Sequence, residues 1–306
     1  MSAKRLLTRS DFDGLACGAL LKELGVIDRW KFVHPKDIQD GLVEVDSNDV
    51  LANIPYVKGC ALWFDHHTSE HERLGDIEFE GASRLEDSAA RVIYEYYGGK
   101  ARLPHMEEMV AAVDKVDAAK LTADEILNPA GWVLLGYIMD PRTGLGRFRQ
   151  FRISNYELME KLIDDCRVKG IEDILACSDV AERIELYMEQ NEQFKAMILQ
   201  YTRTDGNVII SDLRGVETIY TGNRFMVYSL FPEQNISLWI VDGRAKQNVA
   251  IAVGHSILNR TSQTDVGSLL LKYNGGGHRQ VGTCQVPYDD ADASIAKLVE
   301  KMKSDG

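Results

Sequence analysis

Three ionisable residues directly follow a wholly apolar run, residues 60–64: Asp65, His66 and His67. An apolar run of this kind, preceded by Gly59, is typical of a strand that is buried on both faces. In open α/β sheets, ligands bind at the carboxyl ends of the strands. Carboxylate and imidazole together suit a divalent cation such as manganese or zinc. The pattern therefore predicts a metal site, although a polar loop after a strand would look the same.

Asp11 and Asp13 form a second pair of candidate ligands. They follow a short apolar stretch, residues 6–7, and precede a helical pattern over residues 15–24. They are therefore expected on a strand-to-helix turn, where Gly14 lets the backbone approach closely. One Asp is enough to cap a helix. Two alternating carboxylates at such a turn favour a cation site over a simple cap.

A glycine-rich segment lies nearly 200 residues later. It contains Gly275, Gly276 and Gly277, whose backbone N–H groups can form an anion-binding nest. His278 and Arg279 follow directly and add donors suited to phosphate. The alternative interpretation is a flexible loop.

Together, and in this order, the three segments resemble the DHH phosphoesterase superfamily. Its N-terminal α/β domain carries an Asp-x-Asp motif followed by Asp-His-His, and its C-terminal domain carries Gly-Gly-Gly-His. The resemblance covers essentially the whole chain. It implies hydrolysis of phosphoester or phosphoanhydride bonds with manganese or a similar metal.

The hydrophobic pattern divides the chain into two predicted domains. Early apolar runs alternate with helical patterns, which indicates a parallel α/β sheet over residues 1–178. Residues 179–204 are predicted to be a helical connector. Strand-like runs such as residues 208–210 and 225–228 then indicate a smaller α+β domain over residues 205–306. A substrate cleft between two domains is the default expectation.

The resemblance implies a specific set of metal ligands. Asp13, His66 and a later Asp would bind one ion, and Asp11 would lie near a second position. The later Asp follows a helix in the family, so Asp117 is the first choice and Asp114 the second.

Two positions depart from the family pattern. Arg9 stands where the resemblance places a metal-binding His, and Arg cannot ligate a metal. Asn53 stands where a bridging Asp is expected, with Asp46 and Asp49 as alternatives in another register. The paired change suggests that one metal is bound and that the guanidinium of Arg9 replaces the second cation, since Arg is a good phosphate clamp. The competing hypothesis is a protein that only binds a phosphate compound.

The remaining residues receive roles from the same resemblance. Asp65 would orient a neighbouring ligand, and His67 would contact the scissile phosphate. Residues 275–279 would capture the far phosphate or the 3′-end, with Arg260 as a further substrate contact.

A basic segment interleaved with aromatic residues leaves two interpretations open. It could stack bases and bind phosphates, or it could be an amphipathic helix whose Arg side chains snorkel. The second is favoured. The segment contains Arg142, Arg147, Phe148, Arg149, Phe151 and Arg152.

Composition sets wider limits. The 306 residues carry a formal net charge of −12, which disfavours long nucleic acid but not a small anion in a local positive pocket. The five cysteines show no Cys-x-x-Cys spacing, which argues against a disulfide framework. No bilayer-spanning run or signal peptide is visible, so a cytoplasmic protein without a membrane partner is expected. A homodimer stays open.

The resemblance therefore implies a metal-dependent phosphohydrolase that cleaves phosphoanhydride or phosphodiester bonds and is similar to the exopolyphosphatase-like branch, with polyphosphate, pyrophosphate or a short nucleotide as substrate. Alternatives are a phosphodiesterase for short oligonucleotides or linear dinucleotides, and a catalytically silent nucleotide-binding protein. Manganese is the expected cofactor, with magnesium or zinc open, as one or two ions.

Overall fold

The computed structural model describes residues 4–75 and 77–306, with the backbone alone for residues 69, 71 and 244. The chain forms two compact units. The first runs to Lys120 and resumes over Pro129–Leu186, and the second combines Leu121–Asn128 with Tyr187–Gly306. The predicted boundaries, 1–178, 179–204 and 205–306, stay a prediction.

The regular elements follow in chain order. The strands are β1 Lys4–Thr8, β2 Ile27–Phe32, β3 Asp49–Ala52, β4 Leu62–Asp65, β5 Gly81–Ser83, β6 Thr202–Asp205, β7 Val208–Asp212, β8 Ile236–Asp242, β9 Asn248–His255, β10 Gly276–His278 and β11 Val281–Pro287. The helices are α1 Phe12–Glu23, α2 Pro35–Gln39, α3 Thr68–Leu74, α4 Ala89–Tyr96, α5 Glu107–Asp117, α6 Ala123–Leu127, α7 Gly131–Met139, α8 Asn155–Val168, α9 Ile171–Leu175, α10 Ser178–Tyr201, α11 Met226–Leu230, α12 Val266–Leu271 and α13 Ala291–Asp305.

The first unit contains a parallel sheet with the strand order β2-β1-β3-β4-β5, which confirms the predicted α/β class. Its central strands are buried on both faces, as the apolar runs predicted. Thr8 pairs with Ala52, and Ala52 with Phe64. The residues that follow these three positions therefore begin at the same edge of the sheet.

The second unit contains a mixed sheet with the order β10-β11-β9-β8-β7-β6, in which only β7 and β8 are parallel. Apolar residues of this sheet, of α12 and of α13 share one core, which includes Leu238, Ile251, Leu270 and Leu298. The predicted α+β character of the C-terminal part is confirmed. Among the described residues, no helix is both long and apolar enough to cross a membrane.

The strand predicted over residues 225–228 is wrong, because this stretch begins α11. Asn223 accepts hydrogen bonds from the N–H groups of Phe225 and Met226, through its side chain and its carbonyl oxygen respectively. Those bonds start a helical turn. A short apolar run does not distinguish a buried strand from a buried helix.

The ion pair of Arg5 with Asp49 leads to a prediction about stability. Arg5 donates from Nε and Nη2 to the buried Asp49 carboxylate at 2.7 and 2.8 Å. Burial raises the pKa of Asp49, but hydrogen bonds from Arg5 and from the Asp46 N–H outweigh burial and hold the pKa below its usual value. The pair therefore contributes fully above the unfolded-state pKa of about 3.9 and loses its contribution as the pH falls through the folded-state pKa. We expect Arg5→Met to lower the free energy of unfolding by about 1–3 kcal/mol at neutral pH, measured by urea denaturation.

The double variant Arg5→Met/Asp49→Asn is the matched control. The double variant removes the Asp49 carboxylate as well as the Arg5 guanidinium, so no unpaired charge stays buried. Its free energy of unfolding should therefore fall less than that of the single variant. An equal or greater loss in the double variant would contradict the assignment.

Candidate functional site

Three side chains from separate elements of the first unit converge on one point. Asp13 lies in the first turn of α1, His66 follows β4, and Asp117 is the last residue of α5. One potential ligand atom from each lies within 4.8 Å of the others. His66 Nε2 is 3.3 Å from Asp117 Oδ2 and 3.8 Å from Asp13 Oδ2. We call these three residues the metal triad.

The hydrogen bond on the far side of the His66 ring fixes its tautomer. Nδ1 lies 3.2 Å from the backbone carbonyl oxygen of Glu86, which can only accept, so Nδ1 carries the proton. Nε2 is then an unprotonated donor atom. It is buried and makes no hydrogen bond within the described part of the chain. A lone pair facing two carboxylates fits a bound cation, and a carbonyl behind a metal-binding His is the usual support.

The Asp13 carboxylate is held by the start of α4. Oδ2 accepts from the N–H of Ala89 at 3.0 Å, and Oδ1 accepts from the N–H of Ala90 at 2.8 Å. Ser88 caps this helix. Burial, followed by repulsion from Asp117 and Asp11, raises the pKa of Asp13 well above its usual value. The helix N–H groups offset only part of this cost, and a divalent cation in the triad would offset the rest.

Asp11 has different partners. Its Oδ1 accepts from the Gly14 N–H at 2.9 Å and from Asn53 Nδ2 at 3.1 Å, while Oδ2 lies 3.0 Å from Arg9 Nε. Burial raises the pKa of Asp11 to about 6, so it is mostly ionised at neutral pH. Asp11 thus belongs to a polar cluster with Arg9 and Asn53 and not to the metal triad.

The backbone at Arg9 lies so close to position 14 that only glycine can be accommodated there. A Cβ atom there would lie 1.9 Å from the carbonyl oxygen of Arg9 and 2.8 Å from Thr8 Oγ1. Only glycine fits this turn without displacing the end of β1. The turn places Asp11 and Asp13 on the sheet edge.

Asp65 and His67 form a second, adjacent pair. The buried Asp65 accepts from the His67 N–H at 3.1 Å, and its Oδ1 lies 2.9 Å from His67 Nδ1. Burial lowers the pKa of His67, but the Asp65 bond and charge outweigh burial and raise the pKa overall. The ring centroids of His66 and His67 are 4.4 Å apart. The imidazole beside the metal triad is therefore the one whose charged form is favoured.

The alternative ligands lie elsewhere. Asp114 accepts from Ser88 Oγ at 2.6 Å and from Arg91 Nε at 2.9 Å, so both of its oxygens are engaged away from the triad. Asp49 opens β3, at the opposite end of the strand from Asn53, and pairs with Arg5. Asp46 accepts from a neighbouring backbone N–H in the preceding turn. Neither Asp46 nor Asp49 lies in the triad or the Asp11 cluster.

The glycine-rich segment of the second unit is a strand and not a flexible loop. Gly276 and Gly277 pair with β11 in the edge strand β10. A Cβ at position 275 or 277 would lie 2.3 Å from a carbonyl oxygen of β11, so packing requires these glycines. The Gly275 N–H donates to the carbonyl of Leu270, which removes one donor from the predicted nest.

The other predicted residues of the second unit are near the surface. His278 and Arg279 are exposed at the end of β10. Arg260 lies in the loop after β9, where its Nε donates to the carbonyl of Ile257 at 3.0 Å.

The basic segment does not form the favoured amphipathic helix. It forms two short 3-10 turns, Pro141–Thr143 and Leu145–Arg147. Arg152 pairs with Asp179, and the Arg147 guanidinium lies over the Phe148 ring. The cluster therefore contains residues with separate structural partners.

The contact of Arg142 with Asp140 was not predicted from the sequence. Arg142 Nε donates to Asp140 Oδ1 at 2.8 Å and to Oδ2 at 3.0 Å. The charge of Arg142 interacts with Asp117 and Asp11. The available signal was an Asp-Pro-Arg turn directly after a helix, which by itself indicates no site.

Known structures resemble this chain over its full length. A pGpG-specific phosphodiesterase, PggH from Vibrio cholerae, is 47% identical with a TM-score of 0.91, and the match covers 99% of this chain and 100% of that chain. RecJ from Thermus thermophilus, in complex with Mn²⁺, is 14% identical with a TM-score of 0.55 over 98% of this chain and 52% of RecJ. Cdc45 from Entamoeba histolytica is 8% identical with a TM-score of 0.50 over 97% and 95%. The last two show the fold alone. No protein-family model and no curated protein matches the sequence.

The triad leads to a prediction about metal affinity. Asp117→Asn should weaken Mn²⁺ binding to the metal-free protein more than about 100-fold, because it removes a direct ligand, whereas outer partners cost about 10–100-fold. Asp114→Asn is the matched control on the same helix and should cost at most about tenfold. Isothermal calorimetry measures both. If both variants lost the same amount of Mn²⁺ affinity, Asp117 would not be the direct ligand.

Proposed function

The chain belongs to the DHH phosphoesterase superfamily, and we propose that it is a metal-dependent phosphodiesterase that hydrolyses linear dinucleotides of the pGpG type. The observation that carries this proposal is the 47% identity with the pGpG-specific phosphodiesterase over nearly the whole chain. That likeness favours the linear-dinucleotide alternative over the exopolyphosphatase-like expectation. The metal triad disfavours a catalytically silent protein, because its donor set fits a cation.

Asp13, His66 and Asp117 would hold the cation. A bound divalent ion lowers the pKa of water to about 7 and so supplies a nucleophile at neutral pH. Two carboxylates and one imidazole suit manganese, with magnesium or zinc as alternatives. The start of α4 keeps Asp13 in position, and the Glu86 carbonyl keeps His66 in the ligating tautomer.

His67 is proposed to donate a hydrogen bond to the substrate. Asp65 holds its Nδ1, which leaves Nε2 for the phosphoryl group, and the raised pKa of His67 increases the fraction of imidazolium. An N–H donor of this kind stabilises charge on the phosphoryl oxygens as the transition state forms.

The proposed reaction is hydrolysis of the phosphodiester bond. The oxygen of water forms a bond to phosphorus, and the bond from phosphorus to the 3′-oxygen breaks. The departing 3′-oxygen takes up a proton. From pGpG this gives two molecules of GMP.

For the second unit, considered by itself, a phosphate-binding role is proposed. The support is chemical: β10 is an edge strand of its sheet, and the exposed His278 and Arg279 lie at the end of this strand. Gly275, Gly276 and Gly277 set the path of this strand, and Arg260 adds a cation. A homodimer remains a prediction.

A substrate panel tests the proposal. Metal-free protein supplied with Mn²⁺ is expected to convert pGpG to GMP, measured by chromatography, faster than it releases phosphate from polyphosphate or pyrophosphate. Asp13→Asn, prepared identically, should show no turnover and so controls for a contaminating enzyme. Faster hydrolysis of polyphosphate would reject the dinucleotide assignment.

Adjacent histidines provide a second prediction. His67→Ala should lower kcat about 100-fold or more while leaving Mn²⁺ affinity unchanged, because it removes a transition-state donor. His66→Ala should instead lose Mn²⁺ affinity. Metal affinity by calorimetry and steady-state kinetics separate the two roles. A loss of metal affinity in both variants would make His67 a ligand.

A further inference from the structure

Asp11 lies near the metal triad but is not available to bind a second cation. Its Oδ1 takes two hydrogen bonds, from the Gly14 N–H and Asn53 Nδ2, and its Oδ2 lies 3.0 Å from Arg9 Nε. A carboxylate offers about four lone-pair positions, so at most one remains. A cation bound there would lie next to the permanently charged guanidinium of Arg9 and would be repelled by it.

Asn53 strengthens this arrangement. Its backbone is in the left-handed region, with a φ of 57°, and its N–H donates to the carbonyl of Phe64. The side chain is buried, and its amide nitrogen faces Asp11. A hydrogen-bond donor therefore stands at the position where the family resemblance leads one to expect a carboxylate.

The charge of a second guanidinium, that of Arg142, interacts with Asp117 and Asp11. Helix α7 carries Arg142 just beyond its end, and Gly136 lets this helix pack closely. A Cβ at position 136 would lie 2.9 Å from the Phe12 ring and 3.1 Å from Val116. Phe12 separates Asp11 from Asp13, and Val116 precedes Asp117 in the sequence. The helix that positions Arg142 thus packs directly against the residues that carry the metal triad.

The two Arg residues are held in the same way. Arg9 faces Asp11 through Nε, and Arg142 donates through Nε to Asp140. Their side chains are 38% and 43% exposed, so a ligand from solvent can reach both. A guanidinium held at Nε retains four N–H groups on its two Nη atoms, which match the oxygens of a phosphate.

Resting on the proposed phosphodiesterase function, we propose that the site binds a single divalent cation on the metal triad. Arg9 and Arg142 supply the remaining positive charge and bind the non-bridging oxygens of the scissile phosphate. The charge that the two Arg residues supply is independent of metal concentration, because Arg stays protonated at every working pH. The donors also have fixed directions, which orients the phosphate towards the cation.

Metal counting tests the first part without any turnover. Metal-free wild-type protein is titrated with Mn²⁺ by calorimetry, and the ion-to-protein ratio is confirmed by elemental analysis after desalting. We expect one ion per chain. Asp11→Asn should also bind one, since Asn keeps the helix cap. Two ions in the wild type, reduced to one in Asp11→Asn, would overturn the proposal.

A variant designed to bind a second Mn²⁺ ion provides an independent test of the ion-to-protein ratio. Arg9→His/Asn53→Asp replaces the two groups that occupy Asp11 by an imidazole and a carboxylate, which are manganese ligands. We expect it to bind two ions per chain. A folded variant that binds only one ion, as the wild type does, would overturn the role given to Arg9 and Asn53 in excluding a second cation.

Arg142 is tested by its affinity for phosphate. Arg142→Ala is expected to weaken binding of inorganic phosphate to the manganese-loaded protein and to lower kcat/KM for pGpG about 10- to 100-fold, because a charged hydrogen-bond donor is lost. Its Mn²⁺ count should stay at one. Arg147→Ala, in the same segment but over the Phe148 ring, is the control and should behave like wild type. Unchanged phosphate affinity in Arg142→Ala would remove it from the site.

The two proposals can fail separately. If no dinucleotide is hydrolysed, the function is wrong, but the metal count and the phosphate affinity still decide this inference. If pGpG is hydrolysed by a protein with two ions, the function holds and the inference fails.

Discussion

Two carboxylates buried on one strand-to-helix turn are the constraint on which the rest of the site depends. An unpaired buried charge is costly, so Asp11 and Asp13 each require compensation. The first turn of α4 donates to Asp13, whereas Arg9 and Asn53 surround Asp11. These partners come from separate strands and helices of the first unit. The turn is therefore stable only once the sheet and its helices have packed, which ties the formation of the site to the formation of the fold.

The partner behind each histidine gives two neighbouring, identical side chains different chemistry. A backbone carbonyl behind His66 accepts the hydrogen bond from Nδ1, which leaves Nε2 facing the carboxylates as the ligand atom. The carboxylate of Asp65 behind His67 favours the charged imidazole instead. Both histidines are at the sheet edge because they are adjacent in sequence. The different hydrogen-bond partner of each Nδ1 atom explains why only His66 belongs to the metal triad.

Patterns that are local in sequence predicted the parallel sheet and the edge at which Asp13 and His66 lie. Asp117 came from the family resemblance, and the role of all three as ligands stays a prediction. What failed depends on tertiary packing. The run at residues 225–228 fits a strand or a helix equally well until Asn223 starts the turn. The glycine-rich segment indicates an anion-binding nest or a flexible loop when read alone, whereas Gly276 and Gly277 lie in β10, where close approach to β11 requires glycine at position 277. The contacts of Arg142 have no sequence signal, because Gly136 packs α7 against residues more than a hundred positions earlier as well as against α5.

The charge distribution bears on the choice of substrate. Polyphosphate carries negative charge along its whole length and would require a continuous cationic path, whereas the protein has a formal net charge of −12. The cationic groups identified near the metal triad are Arg9 and Arg142, with the imidazole of His67 and the cation that the triad would hold beside them. A linear dinucleotide presents its scissile phosphate as one compact anion, which such a group of charges can bind. The electrostatics of the site therefore favour a short substrate with few phosphates, in agreement with the proposal from overall similarity.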